Sequence, residues 1–258
     1  MILIESTYGN RLHDKTPLLD QIRKPFGDTI ARSGTILIPA FAVARVQVLA
    51  LAIGRLMDSG ELPRVPMYID SPMAVQATKI YGRHLTTGEL DADVTPNAWH
   101  HLYPSQVQLL STTDESKTLN DMTGPVIIIA PSGMMTGGRV LHHMARLLPG
   151  PKNLVVLAGY QAVGTRGDLV QKGAPTLRIY GENVPVRAAT MSLEGLSAHA
   201  DADELMRWLR SGPSLPGRIF AVHGEPEAAA ALAARIKGEL SFRVDVPALG
   251  SEADLEDG

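Results

Sequence analysis

Three side chains in this 258-residue chain are of types that move protons or hold metals, and they stand where such work is done. His199 lies in GLSAHADADEL (195–205), directly ahead of a predicted helix. Asp201 followed three residues later by Glu204 is a capping-box start, and Leu205, Trp208 and Leu209 give that helix its apolar face. The first N–H groups of a helix carry about half a positive charge, so a phosphate is a fitting ligand beside His199, with Ser197 as an added donor. His223 ends the predicted strand in GRIFAVHGE; Gly224 turns the chain and Pro226 opens the next helix. The carboxyl ends of strands are where ligands and reacting groups gather in α/β proteins. Glu5 ends the opening strand MILIE, with Thr7, Tyr8 and His13 close behind. Taken segment by segment, each has a plainer reading: His199 as a cap, His223 as a satisfied core histidine, Glu5 as a lone acid after a strand.

Two further segments bear on anions and metals. APSGMMTGGRV places Gly133, Gly137 and Gly138 between a predicted strand and a predicted helix, so backbone N–H groups could line an anion cradle with Ser132 and Arg139 beside it. The segment lacks the GK[ST] ending of a Walker loop, and glycines here serve a tight turn equally well. A nucleotide-binding α/β module would rest on this turn alone. His142 and His143 are adjacent on a helix and diverge by about 100°, poor geometry for chelation, so they are predicted to be surface or groove residues.

The elements that must position these residues follow a strand, turn, helix rhythm. TILIP (35–39) precedes FAVARVQVLALAIGRL, and PMYID (66–70) precedes SPMAVQATKIYGRH, where Ser71 can cap and Pro72 takes the first helical position. VIIIA (126–130) leads through the glycine turn into RVLHHMARLL, and LVVLAGY (154–160) follows. This predicts an α/β chain with a parallel sheet flanked by helices. From about residue 175 the strands TLRIY, VPVRAATMSL, GRIFAVHG and FRVDVP crowd together, which predicts a domain boundary near 175–187. GELDADVTPNAWHHLYPS (88–105) reads as a surface excursion.

Composition narrows the classes. With 45% hydrophobic and 20% charged residues the chain has the make-up of a soluble globular protein. A net charge of -3 provides no global basic field, so a nucleic acid would have to be held by a local patch. The absence of cysteine excludes disulfides, thiolate metal sites and a cysteine nucleophile. No apolar run approaches the roughly 20 residues of a membrane span, so no membrane partner is expected and a cytoplasmic location is the simplest reading.

Taken together, IESTYGN, IPAFAVARVQ, YIDSPMA, ESKTLN, APSGMMTGGR, LSAHADADEL and VHGE run in the order seen in the β-CASP metallo-β-lactamase-fold ribonucleases, a family this chain resembles through nearly its whole length. The resemblance implies an α/β chain with three segments. Residues 1–8 would end a metallo-β-lactamase segment, 9–186 would form the β-CASP domain, and 187–258 would form the C-terminal metallo-β-lactamase segment of an αββα fold. It places Glu5 on the motif A acid, His199 on the motif B histidine and His223 on the motif C histidine. His223 would then be a zinc ligand in a site of two zinc ions, and His199, oriented by Glu5, would face the scissile phosphate of RNA. A carboxylate beside an imidazole stabilises its protonated form, which keeps a proton ready for the departing oxygen. Ser132, Gly133, Arg139 and Ser197 would contact phosphate or RNA, which the β-CASP domain would clamp.

One departure from the family is sharp. Its HxHxDH segment and further ligands precede the motif A strand, and none of the eight histidines here forms an HxH pair. The expectation is a C-terminal segment of a zinc-dependent ribonuclease of RNA processing or decay, inactive alone. The alternative is a β-CASP protein that binds RNA or a partner without catalysis. An exposed core face would favour self-association, with a homodimer as one form.

Overall fold

The computed structural model describes residues 1–84, 87, 107–193, 195–212 and 217–254. The excursion predicted at 88–105 lies outside them. The chain divides into two compact units: residues 1–15 with 197–258, and residues 16–196.

The larger unit holds a six-stranded sheet in the order β4-β3-β5-β2-β6-β9, every pairing parallel. Its strands are β2 (Ile36–Pro39), β3 (Met67–Asp70), β4 (Val107–Leu110), β5 (Ile127–Ala130), β6 (Leu154–Leu157) and β9 (Ala189–Ser192). All four residues of β2, β3, β5 and β6 are buried, which is why they read as continuous apolar runs rather than alternating ones, broken only by Asp70 at the end of β3. The pleat still sorts them: Ile36, Ile38, Met67, Ile69, Ile127 and Ile129 face a cluster completed by helices α1 (Leu18–Ala31) and α2 (Arg45–Asp58). Leu37, Tyr68, Ile128 and Val155 face the opposite cluster, with Val140, Met144 and Leu147 of α5 (Val140–Leu147). Burying each such aliphatic side chain contributes about 1.5–3 kcal/mol. Between strands run α3 (Pro72–His84), which Ser71 caps by accepting from the Ala74 N–H, α4 (Thr113–Thr118) and α6 (Arg166–Gln171).

Past residue 175 the chain stays within the larger compact unit. β7 (Thr176–Ile179) and β8 (Glu182–Pro185) form an antiparallel hairpin whose Leu177, Ile179 and Val184 complete the second cluster. β9 then returns to the parallel sheet, pairing 189–192 with 154–157, so the division falls at 196/197. At the other end the compact units divide at 15/16, and His13 is bound back to Asp201.

The smaller unit has a three-stranded parallel sheet in the order β1 (Ile2–Glu5), β10 (Ile219–Val222), β11 (Val244–Asp245). Ile4, Ile219, Ala221 and Val244 pack on α7 (Ala202–Arg210) and α8 (Pro226–Leu240). Asp201 caps α7 in the predicted box with Glu204. The buried face of α7 is Ala202, Leu205, Met206 and Leu209, whereas Trp208 is 56% exposed, so the predicted apolar face is corrected by one residue. Among the described residues no helix is long and apolar enough to cross a membrane.

Candidate functional site: an acid–imidazole pair beside a second histidine

In the smaller unit, parallel pairing aligns β1 with β10 so that Glu5 lies opposite Val222, which brings Glu5 and His223 to one sheet edge. The Ser6 hydroxyl donates to the Val222 carbonyl at 2.8 Å and fastens the two strand ends together. His223 takes a left-handed φ of 53°, and a Cβ on the following Gly224 would run into the Ser6 hydroxyl and carbonyl. The turn that presents His223 therefore needs glycine at 224.

His199 reaches the same edge from the start of α7. Its Nδ1 donates to Oε2 of Glu5 at 2.6 Å, while Oε1 of Glu5 accepts from the Ala200 N–H at 3.2 Å. One carboxylate thus fixes both the ring and the backbone of the histidine segment. His13 adds a second hold: its Nε2 donates to the His199 carbonyl at 2.9 Å, and its N–H donates to Asp201 at 3.0 Å. Burial pushes the Asp201 carboxyl up, but the N–H groups of His13 and Glu204 outweigh it and hold the group below the usual carboxylate range. Thr7 lies between the two imidazoles. Its hydroxyl donates to the His223 carbonyl at 3.0 Å, so at 3.2 Å it accepts from Nδ1 of His223. That arrangement leaves Nε2 of His223 as a lone pair. The two rings lie 5.2 Å apart, tilted by 30°.

The expected helix terminus with free N–H groups is not what forms. Those of Ala200, Asp201 and Glu204 are taken by carboxylates of Glu5, Glu204 and Asp201 respectively. Ser197 accepts from the His199 N–H at 3.2 Å, which places it as a brace.

Glu5, His199 and His223 each bring a ligand atom within 4.8 Å of the others, and among the described residues this group numbers three. A catalytic tetrahedral zinc takes three protein ligands. Since Glu5 and His199 are hydrogen bonded to each other, the donor set fits one zinc ligand, His223, beside a proton-handling pair. It does not fit a complete metal site.

The remaining sequence-predicted residues belong to the larger unit. Ser132 bonds Thr136 through its side chain, and the Gly133 carbonyl accepts from Gln161. The N–H groups of Met135, Thr136 and Val140 close the glycine turn. Arg139 forms an ion pair with Asp70 at 2.7 Å. His143 corrects a prediction: it is buried, its Nε2 bound to Asp70 at 2.7 Å, because its side of α5 faces the sheet while His142 lies against Tyr180. The signal for Asp70 was its place as the last residue of a strand, the same place Glu5 holds.

The Beta-Casp domain matches residues 46–169, and the Zn-dependent metallo-hydrolase RNA specificity domain matches residues 183–247. The chain belongs to the β-CASP family of the metallo-β-lactamase fold. It is 37% identical to Ribonuclease TTHA0252 of Thermus thermophilus over 90% of this chain and 53% of that protein. It is 32% identical to an RNase J-like protein of Methanocaldococcus jannaschii, over 97% and 58% respectively. Transcription termination factor FttA of Methanococcus maripaludis is 33% identical, over 87% and 36%. The chain thus spans about half the length of the first two relatives.

Proposed function

We propose that the protein is a zinc-dependent ribonuclease hydrolysing RNA phosphodiester bonds in RNA processing or decay, to which this chain contributes the proton-handling pair and one metal ligand. The observation that carries the proposal is the 2.6 Å bond between Glu5 and Nδ1 of His199, with His223 alongside. Glu5 accepts the Nδ1 proton and so stabilises the ring while Nε2 carries a proton of its own. As the phosphorus–oxygen bond breaks, Nε2 gives that proton to the departing oxygen, and the proton lost by the attacking water restores the imidazolium. Zinc, two ions in the family's pattern, would polarise the phosphate and activate the water when bound. His223 would hold one ion through Nε2.

The test is a graft in which this chain replaces the matching 237 residues of the Thermus ribonuclease. A folded, zinc-loaded graft is expected to cut a labelled single-stranded RNA in single-turnover reactions. One that leaves the RNA intact counts against a nuclease and for the second reading, an RNA- or partner-binding β-CASP protein. That second reading is favoured for the isolated chain by its single unpaired metal ligand.

A further inference from the structure

The larger unit contains a cleft of about 680 Å³ whose lining includes Lys117, Asn120, Arg139, His142, His143 and Tyr180. Among the described residues no acidic side chain lines it. Its base is built on Asp70, fully buried at the end of β3. Burial pushes the Asp70 carboxyl up, but hydrogen bonds from His143, Ser116 and Arg139 outweigh it and hold the group below the usual carboxylate range. The buried charge in turn immobilises Arg139, whose Nη1 donates to Asp70 and the Leu110 carbonyl and whose Nη2 donates to the Ser111 carbonyl. Of the five guanidinium N–H groups this leaves Nε–H and one on Nη2 uncommitted, a fork that suits phosphate oxygens. Lys117 adds a second cation at the rim; among the described residues it pairs with the exposed Asp114 at 3.0 Å. His143 presents an oddity: its Nδ1 is buried without a partner.

An aromatic ledge completes the cleft. Tyr180 is 58% exposed, and its ring centroid lies 4.8 Å from that of His142. It occupies the first position of the two-residue turn between β7 and β8, with φ of 51° ahead of Gly181 at 84°. Such turns favour asparagine or glycine there, so a large exposed ring is not explained by the turn. We infer that this cleft binds a nucleoside monophosphate unit, its base stacked on Tyr180 and His142, its phosphate on Arg139 and Lys117. An anionic group and a flat ring occur together in that ligand class. The unit is supplied by an RNA strand if the ribonuclease reading holds, and by a free mononucleotide if it does not.

The test measures binding of AMP and of a fluorescent eight-nucleotide single-stranded RNA to the 258-residue chain. Tyr180→Asn removes the ring while suiting the turn, and is expected to weaken binding about 10-fold, with Tyr180→Trp restoring it. Lys117→Ala is expected to weaken binding and lower the salt dependence by about one charge. Equal losses for both probes identify the mononucleotide unit as what is recognised. Losses for RNA alone identify the strand as its source. Binding of AMP with these losses, in a chain whose graft leaves RNA uncut, supports the cleft and defeats the nuclease. Folded variants that bind both probes as the wild type does, or no binding of either probe to the wild type, overturn the inference.

Discussion

The two units contain the same chemical pair in opposite surroundings. Glu5 and Asp70 each end a parallel strand, and each holds a histidine, His199 at 2.6 Å and His143 at 2.7 Å. The side chains of Glu5 and His199 are 27% and 38% exposed, whereas those of Asp70 and His143 are 0% and 2% exposed. Exposure leaves Nε2 of His199 open to a substrate. Burial commits Nε2 of His143 to Asp70 and brings in Arg139 and Ser116 as further donors, because a buried carboxylate must be satisfied on all sides. In the proposed function the exposed pair exchanges protons; the buried pair holds a cationic side chain still.

The largest effect expected from breaking the exposed pair is kinetic. In the Thermus graft, His199→Ala should slow cleavage by about 10²- to 10⁴-fold and leave zinc content unchanged. Glu5→Gln should act in the same way, and the double substitution should be little worse than either alone, since the two work as a unit. His223→Ala should lower zinc and rate together. A His199→Ala graft that loses its metal, or a His223→Ala graft that keeps both metal and rate, would show the roles to be reversed.

Breaking the buried pair should cost stability instead. Asp70→Ala leaves Arg139 and His143 facing an empty acceptor, and is expected to cost about 3–5 kcal/mol in urea unfolding. Glu5→Gln, partly exposed, should cost under about 1 kcal/mol. Similar losses for the two would erase the distinction drawn here.

A smaller effect follows from acid. The Asp70 carboxyl titrates lower in the folded chain than in the unfolded one. Its contribution is therefore complete above the ordinary carboxylate pKa of about 3.9 and is lost as pH falls through the lower folded value. The stability gap between wild type and Asp70→Asn should hold from pH 7 to about 5 and narrow below about 4; a gap that widens in acid would contradict the assignment. The smallest change concerns metal. The isolated chain, with one unpaired ligand, should carry far less than one zinc per molecule by elemental analysis, and two tightly held ions would refute the ligand count.

The exposed pair was legible in the sequence because each member stands at an element end: Glu5 closes a strand, His199 precedes a capping box, His223 meets a glycine turn. The sheet was legible because β2, β5 and β6 are apolar throughout and β3 is apolar up to its last residue, Asp70. Thr7 was noted near Glu5, but nothing local shows that it reaches two imidazoles from distant segments. The buried pair was hidden for a similar reason. Helical spacing says that His142 and His143 diverge, yet which of them faces the sheet depends on packing of α5, and Asp70 lies 73 residues away. β9 was read as a strand in VPVRAATMSL, but its pairing with β6 was hidden because an antiparallel hairpin lies between them in sequence.

The pairing of β1 with β10 joins residues 2–5 to residues 219–222. At a synthesis rate of roughly 5–20 residues per second, on the order of ten to forty seconds separate the emergence of the two strands. Closing so long a loop adds little to the equilibrium cost, because that cost grows only with the logarithm of length, but contacts between distant segments form slowly. The six-stranded sheet is contiguous in sequence and has all its strands before residue 193. It is therefore expected to fold on the ribosome while Glu5 still waits for both histidines, so the proton-handling site is the last part of the chain to mature.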